Sequence, residues 1–284
     1  MKTILVPMHG DDGDAVALET AHSVAQHFKS HIEALLIRHD PQILAGDGLV
    51  IPSDYLVEMG NRWQNMAERV RKVYEETVTR LGIQKAEIDA GGAALGCPTA
   101  SWRELSGQEA EVVGHQSRVF DLTIVARPDD PARDLWRVTA EAVLFDGGRP
   151  VLVTPQAPRA ELGRKVLVAW NGSTETAQCV AMAMPWLTTA DEVLVLAVKG
   201  GMVPGPSAEE LARHLARNGV AAGARTLDEG DRSVAEVIIA EAHAMGADLI
   251  VKGAYTQSRF RQMIFGGVTN DLLHRSPLPV LFAH

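Results

Sequence analysis

A chain of 284 residues, 46% apolar and 22% charged, has the composition of an ordinary globular protein and is long enough for one large domain or two of roughly half that length. Its formal net charge of -9 disfavours a general nucleic-acid binder and a protein whose main partner is an anionic membrane surface. No apolar stretch reaches the roughly 18 residues of a membrane span, and two distant cysteines, Cys97 and Cys179, in no CxxC pair, fit a reducing cytoplasm better than a disulfide scaffold.

The chain opens on MKTILVPMHGDDGDA, which reads as a first strand (3–7) and a turn holding His9, Gly10 and Asp11, not as a signal peptide. A helix follows over DAVALETAHSVAQHF, with Val16, Ala17, Thr20, Val24 and Phe28 on one side, and then a strand at 32–37. A long insertion, residues 40–85, contains an amphipathic helix at 61–82 with Trp63, Met66, Val70, Val73, Thr77 and Leu81 along one side, which suits a helix covering a sheet. Strands are expected at 86–90, 122–126 and 150–154, and Cys97 in GCPTASW stands before an expected helix, where a thiol pKa would fall. TPQAPRAELGRK, 154–165, has the prolines and mixed charge of a linker. Beyond it the strands fall at 165–170, 193–198, 223–227, 248–252 and 279–283, and a helix over SVAEVIIAEAHAMG ends at the C-cap Gly246.

The two halves repeat one another. TILVPMHGDDGDAVALETA matches KVLVAWNGSTETAQCVAMA, FDLTIVARP matches ADLIVKGAY, and RPVLVTP matches LPVLFAH, all in the same order. Val6 and Val168 are separated by 162 residues and Asp121 and Asp248 by 127, so about 35 extra residues lie in the first half. Short Val/Leu/Ile runs alternating with helical patterns predict an α/β fold, two tandem doubly wound domains at 1–156 and 163–284, each with a mostly parallel sheet. Ligands of such sheets bind beyond the carboxyl ends of the strands, at the topological switch point.

Two loops of the second half meet that rule. WNGST, 170–174, offers Asn171, a turn glycine and a helix-capping hydroxyl, and reads equally as a plain strand-to-helix junction. KGAYTQSRFRQMIFGGVTN, 252–270, has Gly253, Ser258, Arg259 and Arg261, and Gly266-Gly267 before a helix start, where backbone N–H groups suit phosphate oxygens. It is neither a Walker loop nor GxGxxG. The corresponding loop of the first half, ARPDDPARDLWRVTAEAV, has no glycine and carries Asp129, Asp130 and Asp134, which repel phosphate.

On GAYTQSRFRQMIFGGVT followed by SPLPVLFAH, and on the repeat, the chain resembles the universal stress protein family, as a tandem member with two such domains. The resemblance implies two Rossmann-like, five-stranded parallel sheets and, in the second half, ATP or a related adenine nucleotide, with magnesium. The family's phosphate loop runs Gly, two residues, Gly, nine residues, Gly, then Ser or Thr. Carried over, it places Gly253 first, Thr256 where the second Gly is expected, Gly266 third and Gly267 at the hydroxyl position, followed by Val268 and Thr269. Asn171 stands for the family's Asp after the first strand, Ala169 precedes it, and Val198 is the adenine-flanking position after the second strand. Thr256, Gly267 and Asn171 depart from the pattern. By the same resemblance the first half, with His9, Gly10 and Asp11 after its first strand, has lost the ordinary ATP site.

A metal site is not specified by the ten histidines: His22, His27 and His31, or His9 with Asp11 and Asp12, lack ligand spacing. Trp63, Tyr74 and Trp136 read as packing residues. The function implied is a cytoplasmic stress-response module that binds an adenine nucleotide and has no catalytic constellation. A non-nucleotide interaction protein and a slow ATPase of the same fold stay open. RPVLVTP and LPVLFAH are expected to pair as edge strands in an internal pseudo-dimer, with a homodimer as the other arrangement.

Overall fold

The computed structural model describes residues 1–38, 53–87, 96–130, 132–157, 161–254 and 267–284. Its contacts divide the chain into two compact units, Met1–Gly147 and Gly148–His284.

In the first unit, strand β1 (Thr3–Met8) leads into helix α1 (Gly13–Phe28) and strand β2 (His31–Arg38). Helix α2 (Ser53–Arg80) comes next, then the two-residue strand β3 (Gln84–Lys85) and strand β4 (Thr99–Ser106). Helix α3 (Glu109–Gln116), strand β5 (Leu122–Ala126) and helix α4 (Leu135–Ala142) complete it. The strands lie in the order β3-β4-β2-β1-β5 and are parallel throughout. β1 and β5 are almost wholly apolar because helices cover both faces: Ile4, Leu5, Val6, Leu122, Ile124 and Val125 are fully buried.

The strand expected at 86–90 falls mostly outside the described residues, and the helix start expected after Cys97 is corrected. The paired residues are Gln84–Lys85 and Thr99–Ser106, and Cys97, which is exposed, precedes a strand. TASWRELS is buried at Thr99, Ala100 and Ser101 and becomes progressively exposed toward Ser106, as suits a strand near the sheet edge. His31 bridges it to β2 through Thr99 Oγ1 at 2.8 Å and Ser101 Oγ at 2.9 Å.

The second unit starts with strand β6 (Val151–Thr154) and strand β7 (Lys165–Trp170), followed by helix α5 (Thr174–Leu187) and strand β8 (Glu192–Val198). Helix α6 (Ala208–Arg217), strand β9 (Ala222–Leu227) and helix α7 (Val234–Ala244) come next. Strand β10 (Leu249–Gly253), helix α8 (Val268–Arg275) and strand β11 (Val280–Ala283) end the chain. The order is β6-β11-β10-β7-β8-β9, parallel except for β6, which runs antiparallel to β11. Ser207 and Ser233 each close a capping box, with Glu210 and Glu236, at the starts of α6 and α7. Gly246, at φ +67°, ends α7.

Both units turn at the same place. From β7 the chain moves to β8 and β9 on one side and returns to β10 on the other, so a crevice opens at the carboxyl ends of β7 and β10. β1, with β2 and β4 on one side and β5 on the other, has the same arrangement.

Candidate functional site

The switch point of the second unit gathers the residues named from the two loops. In the parallel register Ala169 pairs with Leu196 and Trp170 with Ala197, so Asn171 and Val198 leave adjacent strands side by side. Val251 pairs with Val168 on the other flank, which sets Gly253 at the same end of β10. Ala169 and Val198 are buried, each at 3% exposure. Thr256 and Gly266 lie outside the described residues, as do Ser258, Arg259 and Arg261.

Asn171 is committed to its own loop. Its Oδ1 accepts from Thr176 Oγ1 at 2.6 Å and from Ser173 N at 3.2 Å, and Ser173 Oγ caps α5 by accepting from Thr176 N. The backbone carbonyl of Asn171 accepts from Val203 N at 2.9 Å. Gly172 turns with φ +82° beneath the chain after β8, where a Cβ would meet Val203 O at 3.0 Å. Thus the strand-to-helix turn is stitched shut by the Asn side chain, and the segment Val203–Pro206 packs on it.

Gly253 has a packing reason to be glycine. It is the last residue of β10, outside the left-handed region, and a Cβ there would lie 2.3 Å from Thr176 N and 2.6 Å from Glu175 C. The first turn of α5 rests directly on its backbone, a close helix–strand approach that only glycine allows. Gly267 is the N-cap of α8 in extended conformation and supplies no side-chain hydrogen bond; Val268 is half-buried and Thr269 buried. Gly267 therefore gives the first turn of α8 no capping side chain of its own, and a helix start favours anions.

Two groups went unnoticed in the sequence. Lys252, inside the apolar run of β10, is buried, and its Nζ donates to Gly253 O at 2.8 Å. Burial pulls its pKa down to about 8, against weak upward pulls from Cys179 and Glu175. Glu175, in the first turn of α5, has a buried Oε2 with no hydrogen-bond partner among the described residues. A cleft of about 510 Å³ between α5 and α6, lined by Trp170, Val180, Met184, Pro206, Leu211 and His214 among others, is largely apolar and has no Lys or Arg to meet phosphate.

The first unit closes the equivalent crevice on itself. The Asp14 carboxylate accepts His9 N at 2.8 Å through Oδ1 and Gly10 N at 2.9 Å through Oδ2, and Asp11 Oδ1 accepts Gly13 N at 2.9 Å. An internal carboxylate thus takes the amides that an incoming anion would use. His9 Nε2 lies 3.0 Å from Thr139 Oγ1 and 3.4 Å from Glu109 Oε1, and Thr139 Oγ1 donates to Glu109 Oε1 at 3.2 Å. Burial lowers the His9 pKa, but the Glu109 hydrogen bond and the carboxylates of Glu109, Asp14 and Asp11 more than offset it, and the net shift is upward. The pairing of His9 with Asp11 and Asp12 considered from sequence is replaced by this one, because α3 and α4 bring Glu109 and Thr139 in from far along the chain. Asp130 and Asp134 of the loop after β5 pair with Arg133 and Arg137. Among the described residues no group of three His, Cys, Asp or Glu side chains could hold a metal. No described helix is long and apolar enough to cross a membrane.

Residues 163–284 match the model of the Universal stress protein family. A 53-residue segment is 45% identical to "Stress response protein NhaX" of Bacillus subtilis (strain 168); it covers 19% of this chain and 31% of that relative, well under two thirds of its length. The structure of a universal stress protein from Archaeoglobus fulgidus DSM 4304 superposes with a TM-score of 0.70 at 17% identity, covering 99% of this chain and 95% of that one. A functionally unknown protein from Pseudomonas aeruginosa PAO1 superposes with a TM-score of 0.53 at 16% identity, over 100% of this chain and 92% of its own. At these identities the two structures establish the Rossmann-like fold of both units.

Proposed function

Since the chain carries a universal stress protein domain at residues 163–284, we propose that it is a stress-response regulator whose second unit binds ATP or a related adenine nucleotide, with magnesium on the phosphates. The observation that carries this reading is the meeting of Ala169, Asn171, Val198 and Gly253 at the carboxyl ends of three adjacent parallel strands, at the switch point. Adenine lies between Ala169 and Val198 in this reading, and the phosphates run toward the start of α8 at Gly267, Val268 and Thr269, with Thr256 and Gly266 completing the loop. The first unit is a partner without a nucleotide site, its β1 turn occupied by Asp14. The domains are 1–156 and 163–284, paired as an internal pseudo-dimer in the cytoplasm.

One observation favours a second reading, an interaction protein that has given up nucleotide. Asn171 Oδ1, the acceptor a ribose hydroxyl would use, is engaged by Ser173 and Thr176. Calorimetric titration of the purified chain with ATP and ADP, with and without magnesium, separates the two. Saturable heat with a matching rise in melting temperature is expected; no heat and no shift at millimolar nucleotide leaves the interaction reading.

A further inference from the structure

Lys252 is a buried cation with no ion-pair partner among the described residues. Its exposure is 5%, its Nζ donates to the carbonyl of the next residue, and among the described residues no other acceptor takes its remaining N–H donors. Among the described residues no carboxylate forms an ion pair with it. Charged groups inside proteins are paired or neutralised, because an isolated ammonium in an apolar setting is strongly disfavoured. The residue before and after it in β10 is Val251 or Gly253, so nothing on its own strand meets the charge.

We propose that Lys252 is the counter-cation for the anionic group bound at the carboxyl end of β10, the phosphate chain of the nucleotide. The inference rests on the nucleotide reading of the same crevice, and adds a side-chain charge to contacts otherwise made by backbone N–H groups. On β10 Lys252 immediately precedes Gly253, the last residue of the strand at its crevice end. Two groups of α5 and one beyond β11 surround Lys252. From α5 come Cys179, whose thiol burial pushes up to about 12 and so keeps neutral, and Glu175. Beyond β11, His284 Nδ1 is bonded to the Ala254 carbonyl.

A consequence is proton uptake. Burial holds the free amine at about 8, so above that pH the empty site keeps it neutral, and an arriving phosphate favours the charged form. Affinity then falls as pH rises past 8, and binding at pH 8.5 draws in part of a proton.

The test is calorimetry on the full chain and on Lys252→Met, which keeps the length of the side chain and removes the charge. ATP, adenosine and inorganic pyrophosphate are titrated at pH 6.5 and 8.5, in two buffers of different ionisation enthalpy. Expected are at least a tenfold loss of ATP affinity in the variant with adenosine unchanged, and, for ATP at pH 8.5, buffer-dependent heat of proton uptake in the wild type that the variant lacks. Variant affinity within twofold of wild type, or heat independent of buffer, overturns the role of Lys252 while leaving the nucleotide reading intact. Pyrophosphate binding that depends on Lys252, without any response to ATP or adenosine, keeps the role and sinks the nucleotide reading. No response of the wild type to any of the three sinks both. The buffer measurement on the wild type decides the matter should the variant not fold.

Discussion

His9 and Glu109 meet in the interior of the first unit, His9 Nε2 standing 3.4 Å from Glu109 Oε1 with side-chain exposures of 4% and 5%. The contact ties the end of β1 to the first turn of α3, and Thr139 of α4 joins both. A buried pair of this kind is strongly destabilised when one partner is removed, since the other charge is left unpaired. His9→Gln should therefore lower stability by about 3 kcal/mol. The pH dependence has a definite sign. The His9 pKa is raised by folding, so its contribution is fully present below the unfolded value of 6.5 and is lost as pH rises through the folded value. Urea titrations from pH 5 to 9 should show the gap between wild type and variant narrowing at the alkaline end; a constant gap would argue that His9 is neutral throughout.

Asp14 acts in the same direction at lower pH. Desolvation raises its carboxyl from 3.8 to about 6, with His9 and the two amides opposing. The folded chain therefore holds a proton that the unfolded chain has released between those values, and stability falls as pH rises from 3.8 to 6. Asp14→Asn should flatten this segment of the curve. A wild-type curve that instead climbs between pH 4 and 6, with no difference from the variant, would show the carboxyl ionised.

Asn171 supports its loop through one oxygen. Asn171→Ala leaves the Ser173 amide and the Thr176 hydroxyl without their acceptor, at a cost of about 2 kcal/mol. Asn171→Asp keeps both bonds and adds a negative charge near the start of α5, which the helix dipole favours, so it should melt no lower than wild type. Thermal melts of the two variants check this. An alanine variant as stable as wild type would mean that the two bonds contribute nothing.

The strands at 122–126 and 165–170 were legible to the residue, because burial on both faces demands continuous Val, Leu and Ile. β4 was not, since TASWRELS has a half-exposed Arg103, an exposed Glu104 and no apolar run. The site shows the same division. Local motifs placed Asn171 and Gly253 at the switch point, yet the reason for Gly253 lies in Thr176, 77 positions away, whose backbone rests on it. The His9–Glu109 contact depends on the packing of α3, which no spacing announces. Lys252 was hidden for the opposite reason: it sits in DLIVKG like one more strand residue, and only its burial makes it unusual.

Gly253→Ala tests whether the glycine serves packing. A methyl group 2.3 Å from Thr176 N forces α5 away from β10, and overpacking of this sort costs about 1–3 kcal/mol. Gly246→Ala offers the contrast, because nothing lies within 4 Å of its added methyl group and only the positive φ is strained. The first variant should lose stability even without ligand; if it melts like wild type, the backbone has room that the packing denies.

The two cysteines should differ sharply in reactivity. Cys97 is exposed, while Cys179 is fully buried, donates to Leu281 O at 3.5 Å, and has its thiol pushed up to about 12 by desolvation. Thiolate is the reacting form, so at pH 8 only Cys97 should be available. Labelling the native protein with a disulfide reagent should give one equivalent at Cys97, and a second at Cys179 should follow only in denaturant. Because Cys179 lies against the same strand as Lys252, its slow labelling in the native state also reports opening of that part of the second unit. Nucleotide that closes on β10 should slow it further, and Lys252→Met should abolish that protection while leaving the rate without nucleotide close to wild type. Equal protection in the variant would place the phosphate elsewhere.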